Sequence, residues 1–176
     1  MHPAQRAMIW INVLGGAAVL GSYAWGIATH ANPGAVWGGV PEWLKPFYTV
    51  SMLTAAGGYF LFGGFLLFGV DAERARFAGG WGFGLVNALF LLILVPSALW
   101  MPLTFRMLDA PSPGLWIAIR VVLALVGIGS VGLLVAVATV EPRTPVALHA
   151  LAVAGLVAFG IQTALLDAIV WPAYFP

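Results

Sequence analysis

LWIAIRVVLALVGIGSVGLLVAVATV, residues 115–140, carries one charged side chain, Arg120, in an otherwise aliphatic and small-residue run. About 20 mostly apolar residues at 1.5 Å each suffice to cross the roughly 30 Å hydrocarbon core of a bilayer. Working outward from this stretch, four others qualify in the same way: Ala7–Thr29, Phe47–Val70 and Trp81–Pro102 before it, and Val146–Trp171 after it. The connections His30–Pro46, Asp71–Gly80, Leu103–Gly114 and Glu141–Pro145 are rich in Pro, Gly or charge, and are too short to fold alone. Residues 1–176 therefore read as a single domain with five spans. Backbone groups in lipid must bond internally, which makes the spans helices, and the alternation of a transmembrane barrel is absent. The expected fold class is an all-α membrane protein, a five-transmembrane-helix bundle.

Composition supports lipid as the main solvent. The chain is 62% hydrophobic and 7% charged, where a soluble domain carries about a quarter charged residues, and mean hydropathy is +1.01. A net charge of +1 leaves no basic stripe for a phosphate backbone, which excludes nucleic acid as a partner. The absence of cysteine excludes disulfides, thiolate metal sites, iron–sulfur clusters and cysteine nucleophiles. Arginine outnumbers the single lysine in a chain rich in Ala, Gly and Val, a bias that suggests a bacterial source. The first span exceeds the usual apolar core of a cleaved leader, and Thr29-His30-Ala31-Asn32 offers no small-x-small site, so a retained helix is expected. Arg6, Arg74, Arg76 and Arg143 fall on one side of the membrane and Lys45 and Arg106 on the other, which points to a cytoplasmic N-terminus. These two sides are called the basic end and the aromatic end below.

Tryptophan gives the second end its name. Trp25, Trp37, Trp43, Trp100, Trp116 and Trp171 collect there, against Trp10 and Trp81 at the basic end. An interfacial belt populates both faces, whereas an apolar-ligand pocket needs an aromatic wall with a few polar groups. Arg120 and Asp167, the charges inside the spans, lie at one shallow depth near this same end. Charges in a span are costly and mark function by default, so the pair is expected to share an outer cavity. The bland alternatives are a snorkelling arginine and an aspartate at a helix end.

Other polar residues are sparse. His30 and His149 belong to opposite ends and cannot ligate one ion or haem, and His2 hangs on the terminus. Asn12, Asn87, Gln162 and Thr163 suit hydrogen bonds between helices. No serine–histidine–aspartate set, paired carboxylates or metalloprotease spacing occurs. Gly57-Gly58, Gly63-Gly64, the series Ala18, Ser22, Gly26 and the series Ala150, Ala154, Ala158 read as helix contact faces; Gly80-x-x-x-Gly84 reads as a further face opening the third helix.

Three stretches resemble one family. Ser97-Ala-Leu99-Trp100-Met-Pro102-Leu-Thr-Phe105 is similar to the N-x-x-W-x-P-x-F-F stretch ending helix three of the translocator and tryptophan-rich sensory proteins, the TspO/MBR family. Trp43-Leu-Lys45-Pro46-Phe47 is similar to that family's loop entering helix two, and Gly58-Tyr59 stands where the family has Leu-Tyr. Ala164-Leu-Leu166-Asp167-Ala-Ile-Val-Trp171 resembles its helix-five signature, with Asp for Asn; Ser97 also replaces an Asn, and the W-x-P-P segment after Lys45-Pro46 is missing. The resemblance implies a divergent member: a homodimer of five-helix bundles, with a pocket near the first connection that takes tetrapyrroles or sterols. It implies that Trp100, Pro102, Asp167 and Tyr59 line the pocket and that Trp43 and Lys45 belong to its lid.

The expected function is a membrane-embedded binding protein for a flat apolar ligand, a porphyrin-like tetrapyrrole or a sterol-like molecule, in transport, scavenging or sensing. Arg120 or Lys45 would pair with a propionate. No cofactor is required; a bound porphyrin or lipid would be cargo. Two alternatives stand beside it: a non-catalytic structural or assembly subunit of a larger membrane complex, and a membrane enzyme acting on a lipid or sterol. Only Asp167 is placed to serve as acid or base in the last of these.

Overall fold

Lipid tails are as apolar as leucine, so helices in a membrane meet where small residues let their backbones approach. A computed structural model describes residues 1–143 and 145–175; Thr144, in the fourth connection, lies outside the described residues. Among them are five helices long and apolar enough to span a bilayer: α1 (Pro3–Thr29), α2 (Lys45–Gly69), α3 (Gly84–Asp109), α4 (Pro113–Ala138) and α5 (Val146–Ala173). The protein is thus an all-α, multi-pass membrane bundle. α1 packs on α3, α3 on α4, α4 on α5, and α5 on α2.

The tightest crossing is α2 on α5. A Cβ at Gly58 would lie 2.5 Å from the Gly155 carbonyl oxygen, and one at Gly155 2.7 Å from that of Gly58. Gly57, Gly63 and Gly64 of the same helix have open space beside them. Of the small-residue series, Gly26 does face α3, where it abuts Met101 and Phe105; Ser22 is half-buried and bonds the Val19 carbonyl of its own helix, and Ala18 is exposed. Ala150 and Ala154 are exposed as well; α5 meets its neighbours through Ala152, Gly155 and Leu156. Four-residue spacing drifts around a helix of 3.6 residues per turn, so it mixes buried and lipid-facing positions.

Helix ends follow local chemistry. Pro3 opens α1 behind His2, whose Nδ1 accepts from the Ala4 amide at 3.2 Å while Gln5 Oε1 accepts from the His2 amide. Ser112 caps α4, accepting from the Leu115 amide at 3.3 Å. The third span departs from the sequence expectation at both ends. It runs through Pro96 and Pro102 to Asp109, leaving only a short turn before α4. Proline withdraws one ladder donor and disfavours a helical residue before it, the reason for ending the span there, yet membrane helices absorb such gaps. At its start Trp81 pairs with Phe77 across a turn in which Ala78, Gly79 and Gly80 have φ of 45°, 81° and 143°. Gly80 therefore precedes the helix, and Gly80-x-x-x-Gly84 forms no helical face.

That turn helps to close the basic end. Arg76 and Glu141 exchange two backbone hydrogen bonds of 2.9 Å, clasping the second connection to the fourth. Beneath them Val70, Ala75, Phe77, Phe83 and Val140 are buried. Exposed apolar side chains such as Phe60 (79%) and Phe68 (82%) face outward on α2, as a lipid-solvated surface requires.

Gly58→Ala is expected to force α2 and α5 apart, at about 1–3 kcal/mol. Gly57→Ala meets open space and should stabilise by up to about 1 kcal/mol through helix propensity. Thermal unfolding of the two variants in detergent checks the opposite signs.

Candidate functional site at the aromatic end

The site is organised by a change in helical winding. α5 is regular from Val146 to Gly160 and then π-wound over Ile161–Val170 before a final turn at Trp171–Ala173. In an α-helix, residues five apart point about 140° away from each other. Wider i→i+5 winding brings them onto one side, and here the Gln162 amide donates to the Asp167 carboxylate at 2.8 Å. Wider winding also re-aims the carbonyls, and the Tyr48 hydroxyl, from the first turn of α2, donates to that of Leu166 at 3.0 Å. Tyr48 is thereby tied to the residue preceding Asp167. α2 and α5 thus meet beside this carboxyl.

Aromatic rings cluster at the same end. Trp100 of α3 meets Tyr23 at 5.8 Å and the edge of Trp171 at 5.7 Å between centroids. Trp171 stacks on Phe175 at 4.4 Å, Phe175 stacks on Trp116, and Trp37 meets Tyr48 edge-on at 5.7 Å. The cover is made from two distant parts of the chain. The Trp171 indole donates to the Val36 carbonyl at 3.0 Å, and the Gly39 amide to the Tyr174 carbonyl at 2.8 Å. Gly38, at φ 56°, and Gly39 leave room for the tail, since a Cβ on either would crowd Tyr174 or Phe175.

Three polar atoms in this half of the bundle are buried without a hydrogen-bond partner among the described residues: Trp100 Nε1, Thr104 Oγ1 and Gln162 Oε1. Thr104 and Gln162 are themselves almost wholly buried. Such groups cost free energy unless something supplies the missing bond, and hydrocarbon supplies none.

The residues expected from the sequence do not all meet here. Trp100 and Asp167 do, with Pro102 two residues along α3, where its ring removes the donor due to the Ala98 carbonyl. Tyr59 stands elsewhere: it donates to Asn12 Oδ1 and packs on Phe62, Phe90 and Phe159. Trp43 is 67% exposed beside Phe47, and Lys45 pairs with Glu42 at 2.5 Å. Arg120 is exposed, with its guanidinium 6.0 Å from the Trp116 ring centre, and it makes no ion pair with Asp167 among the described residues. Equal depth fixes height but not direction around a helix, and it does not by itself bring the two side chains into contact.

Sequence reasoning missed Tyr23, Tyr48 and Thr104. Tyr23 is three residues before Gly26, a spacing that could have placed it on the interior face of α1. Thr104 was hidden by ending the span at Pro102. The histidines lie apart: His30 stacks on Phe105 at 3.8 Å, and His149 Nε2 bonds the Val137 carbonyl at 2.9 Å. Among the described residues no three His, Cys, Asp or Glu side chains cluster to hold a metal. No family model matches the chain, and neither a curated protein nor a solved structure matches it.

Gln162→Leu removes the amide that holds the Asp167 carboxyl and should cost about 1–3 kcal/mol. Thr163→Val, which removes the 2.7 Å bond to Ser130 Oγ, should cost about 1 kcal/mol. Unfolding midpoints in detergent rank the two.

Proposed function

We propose that the aromatic end binds a flat apolar molecule, tetrapyrrole-like or sterol-like, from within the membrane, and that the protein serves its transport, scavenging or sensing. The observation that carries this reading is the set of buried, unpartnered polar atoms, Trp100 Nε1, Thr104 Oγ1 and Gln162 Oε1, in the same half of the bundle as an aromatic wall. Ring faces offer stacking to a flat ligand, and the orphaned atoms offer it hydrogen bonds that the described residues leave unmade. Exposed at the rim, Arg120 is free to meet a propionate, whereas Lys45 is engaged by Glu42. Within this reading the chain is a divergent member of the TspO/MBR family, acting as a homodimer, and its N-terminus is cytoplasmic.

One observation favours a second reading, an assembly subunit without a ligand. Trp116, Trp171 and Phe175 already stack on one another, so part of the wall is filled by the chain itself. A ligand would have to displace the tail that carries Phe175.

Titrating the detergent-purified protein with protoporphyrin IX separates the two. Saturable quenching of tryptophan fluorescence in the micromolar range, weakened about tenfold by Trp100→Ala, is expected for a site of this kind. Quenching that does not saturate, or that ignores the substitution, would favour the assembly subunit.

A further inference from the structure

Asp167 lies in the π-wound part of α5, and among the described residues no cation pairs with it. Among the described residues the ion pairs are His30–Asp109, Lys45–Glu42 and Arg74–Asp71. Arg120, at a similar depth, is exposed and lies by Trp116 instead. The Asp167 carboxylate has one hydrogen-bond donor, the neutral Gln162 amide. Tyr48, whose ring is near, has its own proton committed to the Leu166 carbonyl. The other atom of the Gln162 amide, Oε1, is a second acceptor, buried and unpartnered. The floor of the aromatic end is therefore rich in acceptors and without a countercharge. At the same end Tyr23, Trp100 and Trp171 stand ring against ring, and the faces of such rings attract cations. An acid taken out of water is costly unless a cation or several donors meet it.

We infer that the ligand of the aromatic end is a flat lipophilic cation bearing an N–H donor. Its charged nitrogen sits against the carboxyl of Asp167 and Gln162 Oε1, and its faces lie on Trp100 and Trp171. This rests on the binding reading above and narrows it: the ligand brings positive charge and donors to the floor, whatever acidic groups it shows to Arg120 at the rim.

The test is calorimetric titration of the detergent-purified full chain with two probes of three fused rings. One is aminoacridinium, a flat cation with N–H donors, and the other is anthracene carboxylate, a flat anion. Protoporphyrin IX is titrated alongside. The wild-type protein is expected to bind aminoacridinium saturably, about tenfold or more tighter than anthracene carboxylate. Asp167→Asn, which keeps the shape of the side chain, should abolish that preference and leave the unfolding midpoint near that of wild type. Equal binding of the two probes by the wild-type chain overturns the inference, and this comparison decides even if the variant does not fold. A preference that survives in a folded Asp167→Asn protein overturns it too. In either case, protoporphyrin IX still binding in a Trp100-dependent way would leave the broader reading standing, while no binding of any probe would remove both.

Discussion

Within hydrocarbon a polar atom has no water to fall back on, and the architecture of this protein is largely the set of solutions to that constraint. Where α2 ends in a π-wound turn over Phe65–Gly69, its last carbonyls lose their helical donors. The buried amide of Gln5, on a different helix, meets those of Leu67 and Val70 at 3.1 Å each. His149 answers the Val137 carbonyl in the same way, Asn12 and Tyr59 join α1 to α2, and Thr163 joins α5 to Ser130 of α4. Each of these side chains ties two helices together while satisfying a backbone or hydroxyl group, so the polar residues are the cross-links of an otherwise apolar bundle.

Against that background the unsatisfied atoms at the aromatic end stand apart. Among the described residues Trp100 Nε1, Thr104 Oγ1 and Gln162 Oε1 lack partners in this half of the bundle, against Asn87 Oδ1 in the other. Gln162 bonds the Asp167 carboxyl, Trp100 lies against Tyr23 and Trp171, and α5 departs from regular winding over Ile161–Val170. Irregular winding is common where a membrane helix must present groups to something other than itself.

The spans were legible because hydropathy over some twenty residues is a strong signal, but of the two glycine pairs in α2 only Gly58 meets another helix, so a glycine pair alone did not single it out. Direction around each helix was much less legible. Ala150 and Ala154 share the spacing of a contact face yet look into lipid, and Arg120 matches Asp167 in depth without meeting it. Hydropathy cannot orient a helix whose whole circumference is apolar. Trp100 and Asp167 could be placed together because each is unusual for its depth. Tyr48 and Tyr23 could not, since their roles depend on a turn of α5 that is wound differently from the rest. That winding has no simple signature in the sequence, and it brings Gln162 to Asp167.

The cover over the aromatic end is stitched from Val36 and Gly39 on one side and Trp171 and Tyr174 on the other. Val36 and Trp171 are 135 residues apart, with α2, α3, α4 and most of α5 between them. A membrane protein is inserted as it is made, and its early helices settle before the later ones emerge. Tyr48 and Trp100 therefore enter the bilayer with nothing over them, and the end they line stays open until the segment following α5 has been synthesised. Closure of this end therefore waits on residues made after most of the bundle, and until then its interior lies open to the lipid and small molecules of the membrane in which it is assembled.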